Sequence, residues 1–303
     1  MKIEYKVPKT LAGISVRAFL VQKGFSVHLW RRLKNSGTTR VNGDVVIAAL
    51  TKLEADDILT CEIPESTSIP PIKGPLEILY EDDALLFVNK PAGQLVHPLA
   101  HSSEETLLNY AAYHLHTDTQ DLIPHPVHRL DRNTTGIVMI AKLPHVQHIL
   151  SENGAPRFHR RYLAILEGTP NPANGTINAP IGRKPGSIIE RCVADTGKPA
   201  ATDYKTIAAW DDYSLVEAAP VTGRTHQIRV HFSHIGCPLV GDDLYGGSRE
   251  HIQRQALHAY LMELTHPVTR QPLRITAPVP PDFEKLLPAD ILQQIKTCSL
   301  IRK

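Results

Sequence analysis

The chain of 303 residues has only four cysteines, Cys61, Cys192, Cys237 and Cys298, and no two of them form a CxxC pair. That spacing argues against a disulfide framework and predicts reduced, buried thiols in a cytosolic protein. Long apolar runs are missing: stretches such as Gly136–Ala141 reach a third of the ~18 residues that a membrane span requires. The opening residues, MKIEYKVPKTLAGISVRAFLVQKG, are charged throughout and lack the apolar core of a signal peptide. There is no P-loop, no GxGxxG after a strand, no GxSxG elbow and no HExxH helix, so a nucleotide cofactor has no support. Sixteen histidines include the i,i+3 pairs His125/His128, His145/His148 and His231/His234. No cysteine pair or carboxylate cluster completes a ligand set around them, and no metal is expected. Net charge is also small, with 33 Lys or Arg against 31 Asp or Glu, too balanced for a surface that binds polyanions everywhere. What remains is an ordinary globular composition, 42% hydrophobic and 21% charged, which excludes disordered, collagen-like and coiled-coil readings. The expectation is a soluble cytoplasmic protein without cofactor or membrane attachment, monomeric and with no obligate protein partner.

The charge is unevenly placed. Residues 1–63 hold ten Lys or Arg and six Asp or Glu. Between Arg17 and Arg40, six cations (Arg17, Lys23, Arg31, Arg32, Lys34 and Arg40) meet no acid. The stretch Pro64–Pro75, PESTSIPPIKGP, has four prolines and no periodic apolar pattern, which reads as a linker. The chain therefore divides into a module at 1–64, a Pro-rich linker at 65–75 on which that module moves, and a larger domain at 76–303. In the module, Ser15 caps a helix carrying Val16, Phe19 and Leu20 and ending at Gly24, and Ser26 caps a second with Leu29, Trp30 and Leu33 on one face. TTRV and DVVI then flank an Asn42-Gly43 turn, and a strand follows at Leu59–Ile63. Such a helix pair is either a solvated face or a nucleic-acid contact; six cations without an acid favour the contact.

After the linker, β-rich segments dominate: Leu76–Tyr80, Leu85–Asn89, Ile137–Lys142, Tyr162–Glu167, Ser214–Ala218 and Leu273–Ala277. Helical patterns are fewer, at Glu104–His116, from Pro144 to Glu152, and at Thr225–Ile235. The order is not a regular βαβα alternation, so the class is α+β with a mixed or antiparallel sheet. Three segments are dense in chemistry-bearing residues. NKPAGQLVHP (Asn89–Pro98) and HRLDRNTTG (His128–Gly136) are loops beside apolar strands. TGRTHQIRVHFSHIG (Thr222–Gly236) is a helix capped by Thr225, burying Ile228, Phe232 and Ile235 while Arg229 projects. Asp131, flanked by Arg129 and Arg132, reads either as an exposed ion pair or as a working carboxylate kept ionised by its neighbours. Arg229 reads as a surface arginine and Tyr162 as a core aromatic unless the fold brings them to Asp131.

The segments together carry a resemblance. HRLDRNTTG resembles the HRLDxxTSG signature of the RluA/RluD-type pseudouridine synthases, and NKPAGQLVHP resembles that family's KPxGxxVHP loop. RRYLAILEG is similar to its (K/R)xYxAxxxG strand, and TGRTHQIRVHFSHIGCPLVGDDLYG to its third motif. The match runs from Leu76 to about Pro281, and the module before the linker resembles an S4 RNA-binding domain through GTTRVNG and the helix pair. Asn133 and Thr135 stand where an acid and a serine are usual; Val27 replaces a common basic residue, and LEADD (Leu53–Asp57) replaces the LxxGD turn.

The resemblance implies an α+β catalytic domain that isomerises uridine in RNA to pseudouridine, with no cofactor or metal. It implies Asp131 as the essential carboxylate, nucleophile or base, and Arg229 as its arginine partner. Tyr162 is implied to pack against the flipped uracil with its hydroxyl near the C5 proton, and Arg129 to hold the opened RNA. Arg17, Arg31, Arg32, Lys34 and Arg40 are the candidate RNA contacts of the module. Large-subunit ribosomal RNA is the favoured substrate, because an attached S4-like module resembles the large-subunit members; transfer RNA is the runner-up. Two other classes compete, an RNA-binding protein with lost activity and a carboxylate-nucleophile hydrolase of small molecules. The joint presence of Asp131, Tyr162 and Arg229 argues against the first, and the basic module against the second.

Overall fold

The computed structural model describes residues 2–25, 27–35, 37–46, 50–62, 69–98, 103–116, 122–151 and 157–297. Ser26, the side chain of Arg32, Ile47, residues 63–68, Glu152 and Cys298, all invoked above, lie outside the described residues. In chain order the first elements are β1 (Lys2–Lys6), α1 (Val16–Gln22), α2 (Val27–Asn35), β2 (Thr39–Val41), β3 (Asp44–Val45) and β4 (Ile58–Glu62). They form one antiparallel sheet in the order β1-β4-β2-β3. Asn42 and Gly43 both have positive φ, 50° and 95°, as a two-residue type I′ hairpin demands. The Ser15 hydroxyl accepts the Ala18 N–H at 3.2 Å and caps α1. Phe19, Leu20, Phe25, Trp30, Leu33 and Leu59 pack into a core of their own. Arg17, Arg31 and Arg40 are exposed and Lys34 half-buried. None of the four forms an ion pair with a described acid; Arg40 braces the hairpin by donating to the Gly43 carbonyl at 3.1 Å.

The remaining elements are β5 (Ile78–Glu81), β6 (Leu85–Lys90), α3 (Leu107–Leu115), β7 (His125–Pro126), β8 (Thr135–Ala141), α4 (Pro144–Ser151), β9 (Phe158–Glu167) and β10 (Asn174–Asn178). They continue with β11 (Ile181–Arg183), β12 (Arg191–Val193), β13 (Ala201–Trp210), β14 (Tyr213–Pro220), α5 (Gln227–His234), β15 (Leu257–Thr265), β16 (Pro272–Thr276), α6 (Pro281–Glu284) and α7 (Ala289–Thr297). A large sheet runs β10-β13-β14-β9-β15-β8-β6-β5, with β16 on β15 and β7 on β8, while β11 and β12 make a separate hairpin. Every pair in the large sheet is antiparallel except β15 with β8. The sheet is therefore mixed, in the α+β class that the segment order implied.

Both faces of its central strands are buried. Leu86, Val88, Val138, Ile140, Ala164 and Leu166 face a core closed by α3 and by Ile228 and Phe232 of α5. Their sequence neighbours Leu85, Phe87, Ile137 and Met139 pack against Val146 and Leu150 of α4. Leu163, Ile165 and Tyr260 pack against Phe283 of α6 and Ile291 of α7. Side chains alternate faces along a strand, so a strand covered on both faces reads as an unbroken apolar run such as IVMIA. The start of β8 has one position open only to glycine. A Cβ on Gly136 (φ +109°) would lie 2.2 Å from the Ala259 carbonyl oxygen of β15.

The described end of the Pro-rich segment, residues 69–75, is bonded to α3. The Ile72 N–H donates to the Asn109 carbonyl at 3.1 Å, and the Asn109 amide donates to the Pro70 carbonyl at 2.9 Å. Proline lacks a donor but keeps its acceptor, and α3 supplies the partner. The N-terminal module also touches α4, where Phe25 stacks on His145 with ring centroids 5.2 Å apart.

Candidate active site

Asp131 sits in the turn before β8, where the Thr134 N–H closes onto its carbonyl at 3.1 Å. A buried lysine ties this turn to the neighbouring loop. Lys90 Nζ, at the end of β6, donates to the carbonyls of Pro91 (2.7 Å), Gln94 (2.9 Å) and Arg132 (2.8 Å). Burial lowers its pKa to about 7, opposed by the charge of Asp131. Three carbonyl partners engage all three protons of an ammonium, so the geometry is that of the charged form. His128, beneath the same turn, accepts the Met139 N–H on Nε2 at 3.1 Å, and burial pushes its pKa down to about 3. It is a structural imidazole.

The cations flanking Asp131 in sequence are not its partners. Arg132 turns away to form two bonds with Glu104, at 2.8 and 2.7 Å, and Arg129 is exposed. The partner comes from α5: Arg229 Nη1 donates to Asp131 Oδ2 at 3.2 Å. Arg229 does not project into solvent, as expected of it, but is buried. Its principal partner is Asp242, whose two oxygens accept from Nε and Nη2 at 2.7 Å each. Asp242 is 1% exposed and held in a glycine-framed turn, where a Cβ on Gly247 would fall 1.9 Å from the Leu239 carbonyl oxygen. The helix also starts later than expected. Its N-cap is His226, not Thr225, in the left-handed region and without a side-chain cap bond, and Ile235 is partly exposed beyond its end.

Asp131, Tyr162 and Arg229 meet in one cavity of about 360 Å³, lined also by Arg129, Arg160, Arg224 and His226. Among the described residues that line it, Asp131 is the sole acid beside four arginines, and such a field attracts a polyanion. Tyr162, on β9, is 5% exposed. Burial raises its hydroxyl pKa, and the neighbouring Arg160 works against that rise. Arg160 itself lies over the Phe158 ring at 5.4 Å and donates to the Thr222 carbonyl at 3.4 Å. The cations of the N-terminal module, Arg17, Arg31, Lys34 and Arg40, do not line this cavity. Of the thiols, Cys61 and Cys237 are buried and Cys192 only half-buried, on the β12 strand of an outlying hairpin. Among the described residues there is no group of three or more His, Cys, Asp or Glu placed to hold a metal ion, and no helix long and apolar enough to cross a membrane.

Residues 84–234, which span the Asp131 turn, β9 and α5, match the family model described as RNA pseudouridylate synthase. The Uncharacterized RNA pseudouridine synthase YjbO of Bacillus subtilis is 38% identical over 281 residues, covering 90% of this chain and 98% of that protein. The chain belongs to the RNA pseudouridine synthase family. It is accordingly an isomerase that acts on RNA uridine. The Ribosomal large subunit pseudouridine synthase D of Xanthomonas campestris is 37% identical, covering 98% of this chain and 95% of that protein. Among solved structures, Human RNA Pseudouridylate Synthase Domain Containing 1 is similar with a TM-score of 0.55 and 26% identity, covering 78% of this chain and 98% of that one.

Four residues of this synthase escaped the sequence reading: Arg160 and His226, which line the cavity, and Lys90 and Asp242, which brace the Asp131 turn and Arg229 from behind it. Each lies inside a quoted motif, so the signal was present as position but not as role. The doublet Asp242–Asp243 between Gly241 and Gly246 gives no sign of which acid turns inward.

Proposed function

We propose that the chain isomerises uridine in structured RNA with Asp131 as the catalytic carboxylate, and that large-subunit ribosomal RNA is its substrate. One observation carries the reading: the cavity's sole carboxylate among the described residues, Asp131, meets Arg229 at 3.2 Å, beside a buried tyrosine and among arginines suited to a polyanion. The reaction breaks N1–C1′, turns the uracil and forms C5–C1′. C5 loses a proton and N1 gains one, so atoms and electrons balance without a co-reactant. Asp131 acts as nucleophile at C1′ or as the base that starts glycosidic cleavage, and in either role needs its negative charge and a fixed aim. Arg229 supplies the aim from a guanidinium itself anchored by Asp242. Tyr162 packs its ring against the extruded uracil; with its hydroxyl pKa raised, packing outweighs proton removal at C5. Arg129, exposed and lining the cavity, holds the RNA around the extruded nucleotide.

The choice of ribosomal RNA is supported by relatives such as the Xanthomonas campestris protein, whose name states that substrate. It is supported also by the module at 2–62, which packs around a core of its own and which we read as an S4-like RNA-binding domain. Its exposed Arg17, Arg31 and Arg40, with Lys34 and, on sequence alone, Arg32, meet backbone phosphates. The test is a pseudouridine profile across all RNA of cells with and without the gene. Loss confined to positions in large-subunit ribosomal RNA is the expected result. Loss confined to transfer RNA moves the substrate, and an unchanged profile refutes the enzymatic reading.

A further inference from the structure

One imidazole in the cavity has no part in the chemistry described so far. His226 Nε2 lies 3.9 Å from Asp131 Oδ2. Its backbone is left-handed (φ 58°, ψ 18°) at a helix start where its side chain makes no capping bond. For a residue of this kind that conformation is uncommon and costs on the order of 1–3 kcal/mol. The strain is not spent on the helix, since no cap is made; its visible consequence is the position of the ring.

The second ring nitrogen determines which proton the ring carries. Nδ1 lies 2.8 Å from the Tyr245 hydroxyl, and that hydroxyl accepts the Arg191 backbone N–H at 3.0 Å. A phenol has a single proton to give, and with Arg191 as its donor the remaining partner for that proton among the described residues is Nδ1. The neutral imidazole therefore bears its own proton on Nε2, on the side of Asp131. Burial keeps it in that neutral form by lowering its pKa, although the Asp131 charge pulls the other way. Tyr245 also lies under the Arg229 guanidinium, 4.9 Å from ring centroid to Cζ. One tyrosine thus supports both groups that face Asp131, and both meet the same oxygen, Oδ2. Oδ1 makes no hydrogen bond with any described residue.

We propose that His226 is a positioning residue: its Nε2–H and the Arg229 guanidinium together hold Asp131 Oδ2, so that Oδ1 is the oxygen presented to the nucleotide. The assignment rests on Asp131 being the catalytic carboxylate. A separation of 3.9 Å is longer than a hydrogen bond, and contacts of this type tighten as the substrate complex forms. Without His226 the carboxylate keeps one anchor and can swing about it, and a misplacement of about 1 Å costs up to roughly 100-fold in rate.

The test uses the full-length protein and an unmodified transcript of large-subunit ribosomal RNA carrying uridine tritiated at C5, which isomerisation releases. His226→Ala should lower the turnover rate by about 10–100-fold while KM for the transcript stays within about twofold. His226→Gln, which returns an N–H near the Nε2 position, should recover most of the loss. Tyr245→Phe keeps the ring under Arg229 but loses the proton that sets the tautomer, and should reduce turnover several-fold at unchanged KM. It stands independently should His226→Ala fail to fold. Turnover of His226→Ala within twofold of the parent overturns the proposal. So does a folded His226→Gln no better than His226→Ala, or Tyr245→Phe at full rate. Asp131→Asn is measured alongside: activity there sinks the catalytic assignment itself, whereas an inactive Asp131→Asn with a fully active His226→Ala sinks the positioning role alone.

Discussion

Asp242→Asn separates the residue that anchors the site from the residue that works in it. Both carboxylate oxygens of Asp242 accept 2.7 Å bonds from Arg229, in a place where Asp242 is 1% exposed. Asparagine of the same shape turns one acceptor into an NH₂ group that faces an N–H donor, and removes the counterion of a buried guanidinium. Breaking a buried, hydrogen-bonded ion pair from one side costs about 3–5 kcal/mol. Asp131, already 3.2 Å from Nη1, takes up part of the uncompensated charge, which points to the lower end, ~3 kcal/mol. In a domain of this size each kcal/mol moves the melting temperature by about 2–4 °C, so a fall of roughly 6–12 °C is expected. Asp131→Asn is a different perturbation. It weakens a single 3.2 Å bond at a side chain 21% exposed, while Arg229 keeps Asp242. Its cost should stay under about 1 kcal/mol, within the ~2–4 °C that such a change produces. Thermal melts of the two variants and the parent in one buffer, followed by circular dichroism, make the comparison. If Asp131→Asn melts as low as Asp242→Asn, the reasoning that Arg229 is anchored by Asp242 is refuted.

Two further outcomes follow from the same geometry. Neutralising Arg31, Arg32 and Lys34 together should weaken RNA binding and flatten the slope of log affinity against log salt by about 0.7–0.9 per lost phosphate contact; an unchanged slope in filter binding would assign the module another task. Burial pushes the pKa of His125, His145 and His258 down to about 4 and of His128 to about 3. An unfolded imidazole titrates near about 6.5, so below that pH the unfolded chain binds protons that the fold refuses. Stability is therefore complete above about pH 6.5 and is lost progressively down to about pH 3–4; equal urea midpoints at about pH 7 and about pH 5 would contradict this.

Among the strands legible in the sequence, β6 and β8 are covered on both faces. Leu85–Lys90 and Thr135–Ala141 read as apolar runs because α3 and α4 close opposite sides of them. β15, although central, passed unnoticed, since His258 and Glu263 interrupt its apolar pattern. His258 is fully buried there and bonded through Nδ1 to the Thr135 hydroxyl at 2.9 Å, a partner 123 residues away. β13 escaped for the opposite reason: packed mostly at half exposure, its ATDYKTIAAW offers neither a run nor a clean alternation. At the site, Asp131, Tyr162 and Arg229 were readable as motif residues, and their convergence is visible only in the fold. The pairing of Asp131 with Arg229 came from the family resemblance and not from the residues themselves. Adjacency suggested Arg129 and Arg132 for Asp131, but the turn directs Arg132 toward Glu104, 28 residues away. Sequence distance says little about which charges meet once a helix and a turn bring Asp242 back over Arg229.

The central claim is that Asp131 performs the chemistry. Its most direct test is pseudouridine formation by the Asp131→Asn protein on a large-subunit ribosomal RNA transcript, with folding and RNA binding measured on the same sample. The variant should melt within a few degrees of the parent, about 4 °C at most. It should bind the transcript with the parent's affinity and form no detectable pseudouridine. Retention of more than about a few per cent of parental turnover, far above the loss expected when an essential catalytic group is removed, would contradict the account.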